Sequence, residues 1–312
     1  MVVAFFGTPR FAVPTLRQLI ASRHRVAGVV TQPDRPRGRG QRVSDSPVKS
    51  VAIEHGLPVL QPDRLLDPEF VETFGSWKPD LGVVVAYGKL IPDAVLRLPR
   101  LGMINLHASL LPKYRGAAPV HRAIIDGQQE TGVTIMRVAK ALDAGDMLAK
   151  ARRPIGQDES SDEVESDLAV LGAPLLVGVV DRMERGDIVE ESQDGSASTY
   201  AAKLTKEEGL IDWSATAAAI HNRVRGLHPW PHAYTYLEGA RLIVLKTRVS
   251  DERTGHRPGT IVHAGGETLA VAAGDGKLVV IEALQPEGRK AMRVREFLAG
   301  RALGEGARFG SP

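Results

Sequence analysis

Short, nearly continuous apolar runs alternate with stretches of helical spacing through the first half of the chain. Residues 2–6, "VVAFF", form such a run, closed by Gly7, Thr8 and Pro9. Apolar positions at Phe11, Leu16, Leu19 and Ile20 then recur at helical spacing. Residues 25–31, 80–88, 101–107 and 131–138 read as further strands, with helical stretches between them around 47–55, 66–74 and 117–126. Strands that are apolar along their whole length are buried on both sides. The alternation therefore predicts an α/β fold, a Rossmann-like and largely parallel sheet with helices on both faces.

The second half has a different texture. An acidic opening, "GQDESSDEVESD" at 156–167, leads into an apolar helix to about Met183, and carboxylates at a helix start suit its dipole. Residues 185–199 are polar, aperiodic and rich in Gly and Ser, as a linker would be. Beyond a helix ended by a glycine and prolines, alternating runs at 240–249, 259–264, 267–273 and 277–284 predict a small β-barrel. The expected domains are 1–187, with a basic loop at 32–45, and 206–312, joined by a linker at 188–205. Trp230, between Pro229 and Pro231, is expected to be a packed anchor.

Composition narrows the classes. No apolar run approaches the roughly 20 residues that span a bilayer. The start runs straight into a strand without the basic n-region of a signal peptide. There are no cysteines, which excludes disulfides and thiol nucleophiles and fits a cytoplasmic protein. The net charge of +3 is small, but from Gly195 onward 16 basic residues stand against 12 acidic ones, so this part carries about +4. Nothing marks a large apolar seam, and a monomer is expected.

Candidate chemistry gathers in "INLHASLLPKYRGAAPV", residues 104–120. Residues two apart in a strand share a side, so Asn105 and His107 face one point at a strand end. That is where open α/β sheets bind ligands. An amide and an imidazole converging there can bind an oxyanion and move a proton. "KALDAGDML" adds Asp143 in a loop after the next strand, with Asp146 as a loop-structure residue. No serine or cysteine elbow accompanies them, which points to direct transfer at a carbonyl. Neither a G-x-G-x-x-G nor a P-loop is present. Prolines between His228 and His232 prevent a helical ligand pair, so no metal is expected.

Several stretches together resemble the folate-dependent formyltransferases. They are "FFGTPRFAVPTL", "TQPDRPRGRG", "SPVK", "VVVAYGKLIP", "INLHASLLPKYRGAAPVHRAI", "TGVTIM", "LDAGDML", "KLTKEEGLIDW" and "HPWPHAYT", in family order over nearly the whole chain. The nearest likeness is to the branch that acts on tRNA. The resemblance implies 10-formyltetrahydrofolate as formyl donor and the α-amino group of methionyl initiator tRNA as acceptor. It matches Asn105, His107 and Asp143 to a catalytic trio and Ser109, Leu110, Leu111 and Pro112 to a folate-binding segment. Tyr87 and Gly88 would lie in the wall of the pterin pocket, and the C-terminal barrel looks similar to an OB-fold. One departure is the segment around the aspartate, "RVAKALDAGD", where Ala139, Ala141 and Ala144 replace commoner choices.

Relatives of this kind also formylate amino sugars or ribonucleotide amines. The loop "TQPDRPRGRGQRVSDSPVK" separates the readings, since Arg35, Arg37, Arg39 and Arg42 fall within eight residues after a strand. Arginines there can grip phosphates or stand beside an unpaired base. Arg39 is the position expected to matter most, in a loop expected to be mobile without RNA. Lys203, Lys206, Arg289 and Lys290 are candidates for a second phosphate-contacting surface. A non-catalytic RNA-binding protein on an enzyme scaffold is the reading from another class, disfavoured by the intact trio.

Overall fold

The computed structural model describes residues 1–37, 42–301, 303–304 and 306–310. Two compact units divide the chain. One comprises Met1–Gly116, Gly132–Arg153 and Glu165–Tyr200, the other Ala117–Thr131, Pro154–Val164 and Ala201–Pro312.

The first unit is built on a seven-stranded sheet. Its strands are β1 (Val2–Gly7), β2 (Arg25–Val30), β3 (Val59–Leu60), β4 (Leu81–Val85), β5 (Met103–His107), β6 (Glu130–Arg137) and β7 (Met147–Pro154), in the order β7-β6-β5-β4-β1-β2-β3. β1 pairs in parallel with β2 and β4, β2 with β3, and β4 with β5, whereas β5 and β6 run antiparallel. The expected Rossmann-like sheet is thus present and largely parallel. Every residue of β4 is buried, as its unbroken apolar run predicts. Helices α1 (Val13–Ile20), α2 (Pro47–Glu54), α3 (Pro68–Ser76) and α4 (Asp93–Leu96) connect the strands. Ser46 starts α2 by accepting the Lys49 N–H at 3.1 Å, and Pro47 supplies the preset φ of a first helical residue. Phe6 packs edge-on against Phe74 and Tyr87, with ring centroids 5.4 Å apart in both pairs.

The second unit holds α5 (Pro119–Ile125), the start of α6 (Ser161–Arg185), α7 (Ala217–Gly226), α8 (Val294–Ala299) and a curled sheet. The main strands are β8 (Ala233–Leu237), β9 (Ala240–Arg253), β10 (Ile261–Gly265), β11 (Thr268–Ala272), β12 (Lys277–Pro286) and β13 (Phe309–Gly310), ordered β10-β11-β12-β9-β8-β13. Register shifts between Val244 and Thr247 and between Ser250 and Arg253 bend the long β9. A bridge from Thr260 to Arg308 brings the two ends of the sheet together, giving the expected OB-like barrel. Inside, Trp213 stacks on Phe309 with centroids 5.6 Å apart, and its indole N–H reaches Thr235 Oγ1 at 3.0 Å.

Why α5 belongs with this unit is a matter of polar contacts and one close approach. His121 Nδ1 lies 2.7 Å from Gly226 O, and Arg122 forks onto the Glu208 carboxylate. A Cβ on Gly226 would stand 2.6 Å from Ile125 Cγ1, so only glycine lets α7 approach α5 so closely. Trp230 differs from the expected packed anchor, since it is 47% exposed. Its flanking prolines follow cis peptide bonds at His228-Pro229 and Trp230-Pro231. Among the described residues, no helix is long and apolar enough to cross a membrane.

Candidate active site

Asn105 and His107 occupy the carboxyl end of β5, where Asn105 is registered against Val84 of β4 and Met136 of β6, and His107 against Thr134. His107 is buried and Asn105 is half-buried. The Asn105 amide makes no hydrogen bond to another described residue. His107 is held differently. Its Nε2 lies 2.9 Å from Tyr114 O, and a carbonyl can only accept, so the hydrogen sits on Nε2. Nδ1 lies 3.6 Å from Asp143 Oδ2, within ion-pair range but beyond a hydrogen bond. Nδ1 is therefore the nitrogen left open for chemistry.

Asp143 sits in the loop between β6 and β7 with φ +50°, a left-handed conformation that aspartate tolerates better than most residues. Its Oδ2 accepts the Gly116 N–H at 2.9 Å, which aims the carboxylate at His107. Gln193 Nε2 donates to Asp143 O at 2.9 Å and to Gly145 O at 2.8 Å. Asp146 faces away from this pair, accepting from Ser192 Oγ at 3.0 Å. The trio named from sequence is thus joined as far as His107 and Asp143. Of the groups that fix them, Tyr114 O and Gly116 N lie within the motif that holds His107, whereas Gln193 lies in the polar segment read as a linker and carried no sequence signal.

Residues 109–112 form a tight loop after β5. Ser109 Oγ donates to Lys113 O at 2.7 Å, and Thr134 Oγ1 donates to Ser109 O at 2.7 Å while accepting from Leu111 N at 3.1 Å. Leu111 is buried with Met136 and Met147, Leu110 and Pro112 are half-buried, and the Leu111-Pro112 bond is cis. Tyr87 is a core residue whose buried hydroxyl has no partner among the described residues, and burial pushes it up to about 12. Its carbonyl accepts from Thr8 Oγ1 at 3.2 Å and Gln32 Nε2 at 3.1 Å. Gly88 follows with φ +87°.

The arginine loop is a β-hairpin in which Arg35 is registered against Ser44 and Arg37 against Arg42. Arg39, and with it the expected mobility of the loop tip, lies outside the described residues. At the hairpin's base Lys49 Nζ bridges Asp34 and, at 2.8 Å, Asp45, and these two carboxylates raise its pKa. In the second unit Lys203, Lys206, Arg289 and Lys290 are all exposed. Among the described residues one cluster has metal-like spacing, His24 with Asp181 and Glu184, and the Arg23 guanidinium already pairs with both carboxylates.

A family model described as Formyl transferase matches residues 1–180, and one described as Formyl transferase, C-terminal domain, matches 203–302. The fold and its two matched parts define a two-domain formyl transferase. Methionyl-tRNA formyltransferase of Citrifermentans bemidjiense is 49% identical over 310 residues, covering 99% of this chain and 96% of that protein. Methionyl-tRNA formyltransferase of Methylococcus capsulatus is 48% identical over 311 residues, covering 100% of both. The chain belongs to the methionyl-tRNA formyltransferase family. A solved structure of WlaRD, a sugar 3N-formyl transferase in the presence of dTDP and 5-N-formyl-THF, matches with a TM-score of 0.70 at 15% identity, covering 93% of this chain and 99% of that one. At that identity the likeness is one of fold.

Proposed function

We propose that the protein transfers the formyl group of 10-formyltetrahydrofolate to the α-amino group of methionyl initiator tRNA, giving formylmethionyl-tRNA for translation initiation. The observation that carries this reading is the strand end where the unpartnered Asn105 amide shares a side with His107, whose open Nδ1 faces Asp143. A neutral amine attacking a formyl carbon builds negative charge on the formyl oxygen. Asn105 donates to that oxygen, and more strongly as the charge grows. His107, tied at Nε2 to Tyr114 O, uses Nδ1 to take up or return the surplus amine proton. Asp143 stabilises the ring while it is charged. The folate supplies the formyl group and, at its departing nitrogen, the final resting place of the proton.

The donor is held by Ser109, Leu110, Leu111 and Pro112, with Tyr87 and Gly88 contributing through the loop that follows β4. A donor amide without a partner beside a rigid, hydrogen-bonded loop fits such a substrate. The RNA is gripped by Arg35, Arg37, Arg39 and Arg42 and by Lys203, Lys206, Arg289 and Lys290 through phosphate contacts. The protein works as a cytoplasmic monomer without a metal.

Formyl transfer from 10-formyltetrahydrofolate to initiator and elongator methionyl-tRNA, measured side by side, tests the reading. A strong preference for the initiator is expected, and Arg39→Ala is expected to weaken it. Equal rates on both tRNAs would remove the proposed acceptor. Faster transfer to a nucleotide-linked amino sugar would replace it with the sugar.

A further inference from the structure

Residues 190–199 hold one turn of 3-10 helix, Gly195–Ala197, and otherwise read as a linker, yet Glu190, Glu191, Ser192, Gln193 and Thr199 all bond to the strand ends and loops that carry Asp143 and Tyr114. Arg137, at the end of β6, donates to Glu190 Oε1 at 2.9 and 2.6 Å. Glu191 and Met147 exchange both backbone hydrogen bonds, at 2.8 and 2.9 Å. Ser192 donates to Asp146, and Gln193 to the carbonyls of Asp143 and Gly145. Arg115 in turn donates to Gln193 Oε1 at 3.1 and 2.7 Å, which fixes the orientation of the amide. Further on, Thr199 Oγ1 accepts the Tyr114 N–H at 2.8 Å, and Thr199 O the Arg115 N–H at 2.9 Å.

Two independent features make this more than a surface crossing. The strap ends on both partners of His107, Asp143 at Nδ1 and Tyr114 at Nε2. Both partners also hold a left-handed backbone, φ +50° at Asp143 and φ +62° at Tyr114. Such conformations persist only where surrounding contacts over-determine them. Residues 190–199 supply one such contact at each, Gln193 to Asp143 O and Thr199 to Tyr114 N, beside the Gly116 N–H on the Asp143 carboxylate.

We propose that residues 190–199 act as a positioning strap for formyl transfer, in which Gln193 and Thr199 set the two groups that bracket His107. This rests on the reading of Asn105, His107 and Asp143 as the reacting groups. Gln193 touches no reacting atom and is a positioning residue. Its amide must present a donor to two carbonyls and an acceptor to Arg115, a combination that neither Glu nor Ala supplies.

Gln193→Ala is expected to lower kcat about 10- to 100-fold, as misplacements near 1 Å do, with KM for both substrates within about twofold. Gln193→Glu keeps the Arg115 contact but sets a carboxylate against two carbonyl oxygens, so it is expected to be the slower variant. Amide hydrogen exchange of residues 141–146 in the unliganded full chain is read in parallel, and Gln193→Ala is expected to accelerate it. Unchanged kcat, a loss confined to KM, or unchanged exchange would overturn the strap. Should the wild type transfer to no acceptor, the catalytic reading fails. The exchange measurement still decides whether Gln193 orders the loop.

Discussion

His107 Nδ1 stands 3.6 Å from Asp143 Oδ2, too far for a hydrogen bond and close enough for an ion pair once the ring is charged. The gap is maintained from both sides. Tyr114 O holds the far edge of the ring at 2.9 Å, and the Gly116 N–H holds the carboxylate oxygen at 2.9 Å. A ring so bracketed can gain a proton without moving, which is what a proton carrier in a direct transfer requires.

Asp143→Asn tests that pairing. The amide oxygen still accepts from Gly116, so the loop keeps its shape, but the charge facing Nδ1 is gone. We expect kcat to fall about 100-fold or more with a nearly unchanged melting temperature. A kcat within threefold of wild type would show that the carboxylate is not needed.

Asn105→Ala removes a strand-end amide that has no hydrogen-bond partner among the described residues. Losing a single oxyanion donor typically costs about 3–4 kcal/mol of barrier, so a fall of about 100-fold or more in kcat is expected. Steady-state rates with the folate saturating measure it. An effect limited to KM would make Asn105 a binding residue instead.

Gly145→Ala probes the loop by steric means. The added Cβ would lie 2.0 Å from Arg137 O, so the Asp143 loop must shift. A destabilisation of about 1–3 kcal/mol and a marked loss of activity are expected. Gly178→Ala is the matched contrast. It lies in α6 with nothing within 4 Å of the new methyl. Denaturant titration should show it more stable by about 0.5–1 kcal/mol.

Glu208 offers a pH test in the second unit. The Arg122 guanidinium, helped by the Thr205 N–H, holds its carboxyl below the ordinary value of 4.5. A folded pKa below the unfolded one gives stability that is present above the ordinary value and lost as pH falls through the folded one. Wild type should therefore exceed Glu208→Gln by about 1 kcal/mol at pH 7, discounted for partial exposure. The difference should shrink as pH falls below the ordinary value of 4.5 and vanish once the carboxyl is protonated in the folded protein as well. A difference independent of pH would mean that the charge plays no part.

Much of the fold was legible because burial leaves a periodic trace. Residues 81–85 and 103–107 are strands where apolar runs predicted them, and the curled sheet follows its alternating segments. The reversal at β6 was not legible, since an apolar run has no direction. β7, in "MLAKARRP", leaves no clear periodic trace because its outer half is only partly buried and mixes charged with apolar residues. Trp230 misled for a related reason. Prolines on both sides of an indole suggest a rigid packed corner, and rigidity says nothing about which way the ring faces.

The site divides along the same line. That Asn105 and His107 share a side is a local consequence of strand geometry, and the sequence alone determined it. So did the presence of Asp143 in a glycine-containing loop after the next strand. The tertiary structure alone decided which nitrogen of His107 is tied and which is open, what turns Asp143 toward it, and that a polar segment near residue 193 bonds to the Asp143 loop. Those contacts run largely through backbone carbonyl and N–H groups, which nearly every residue carries. No residue type marks them, and they acquire a role only when the chain brings distant backbones within 3 Å.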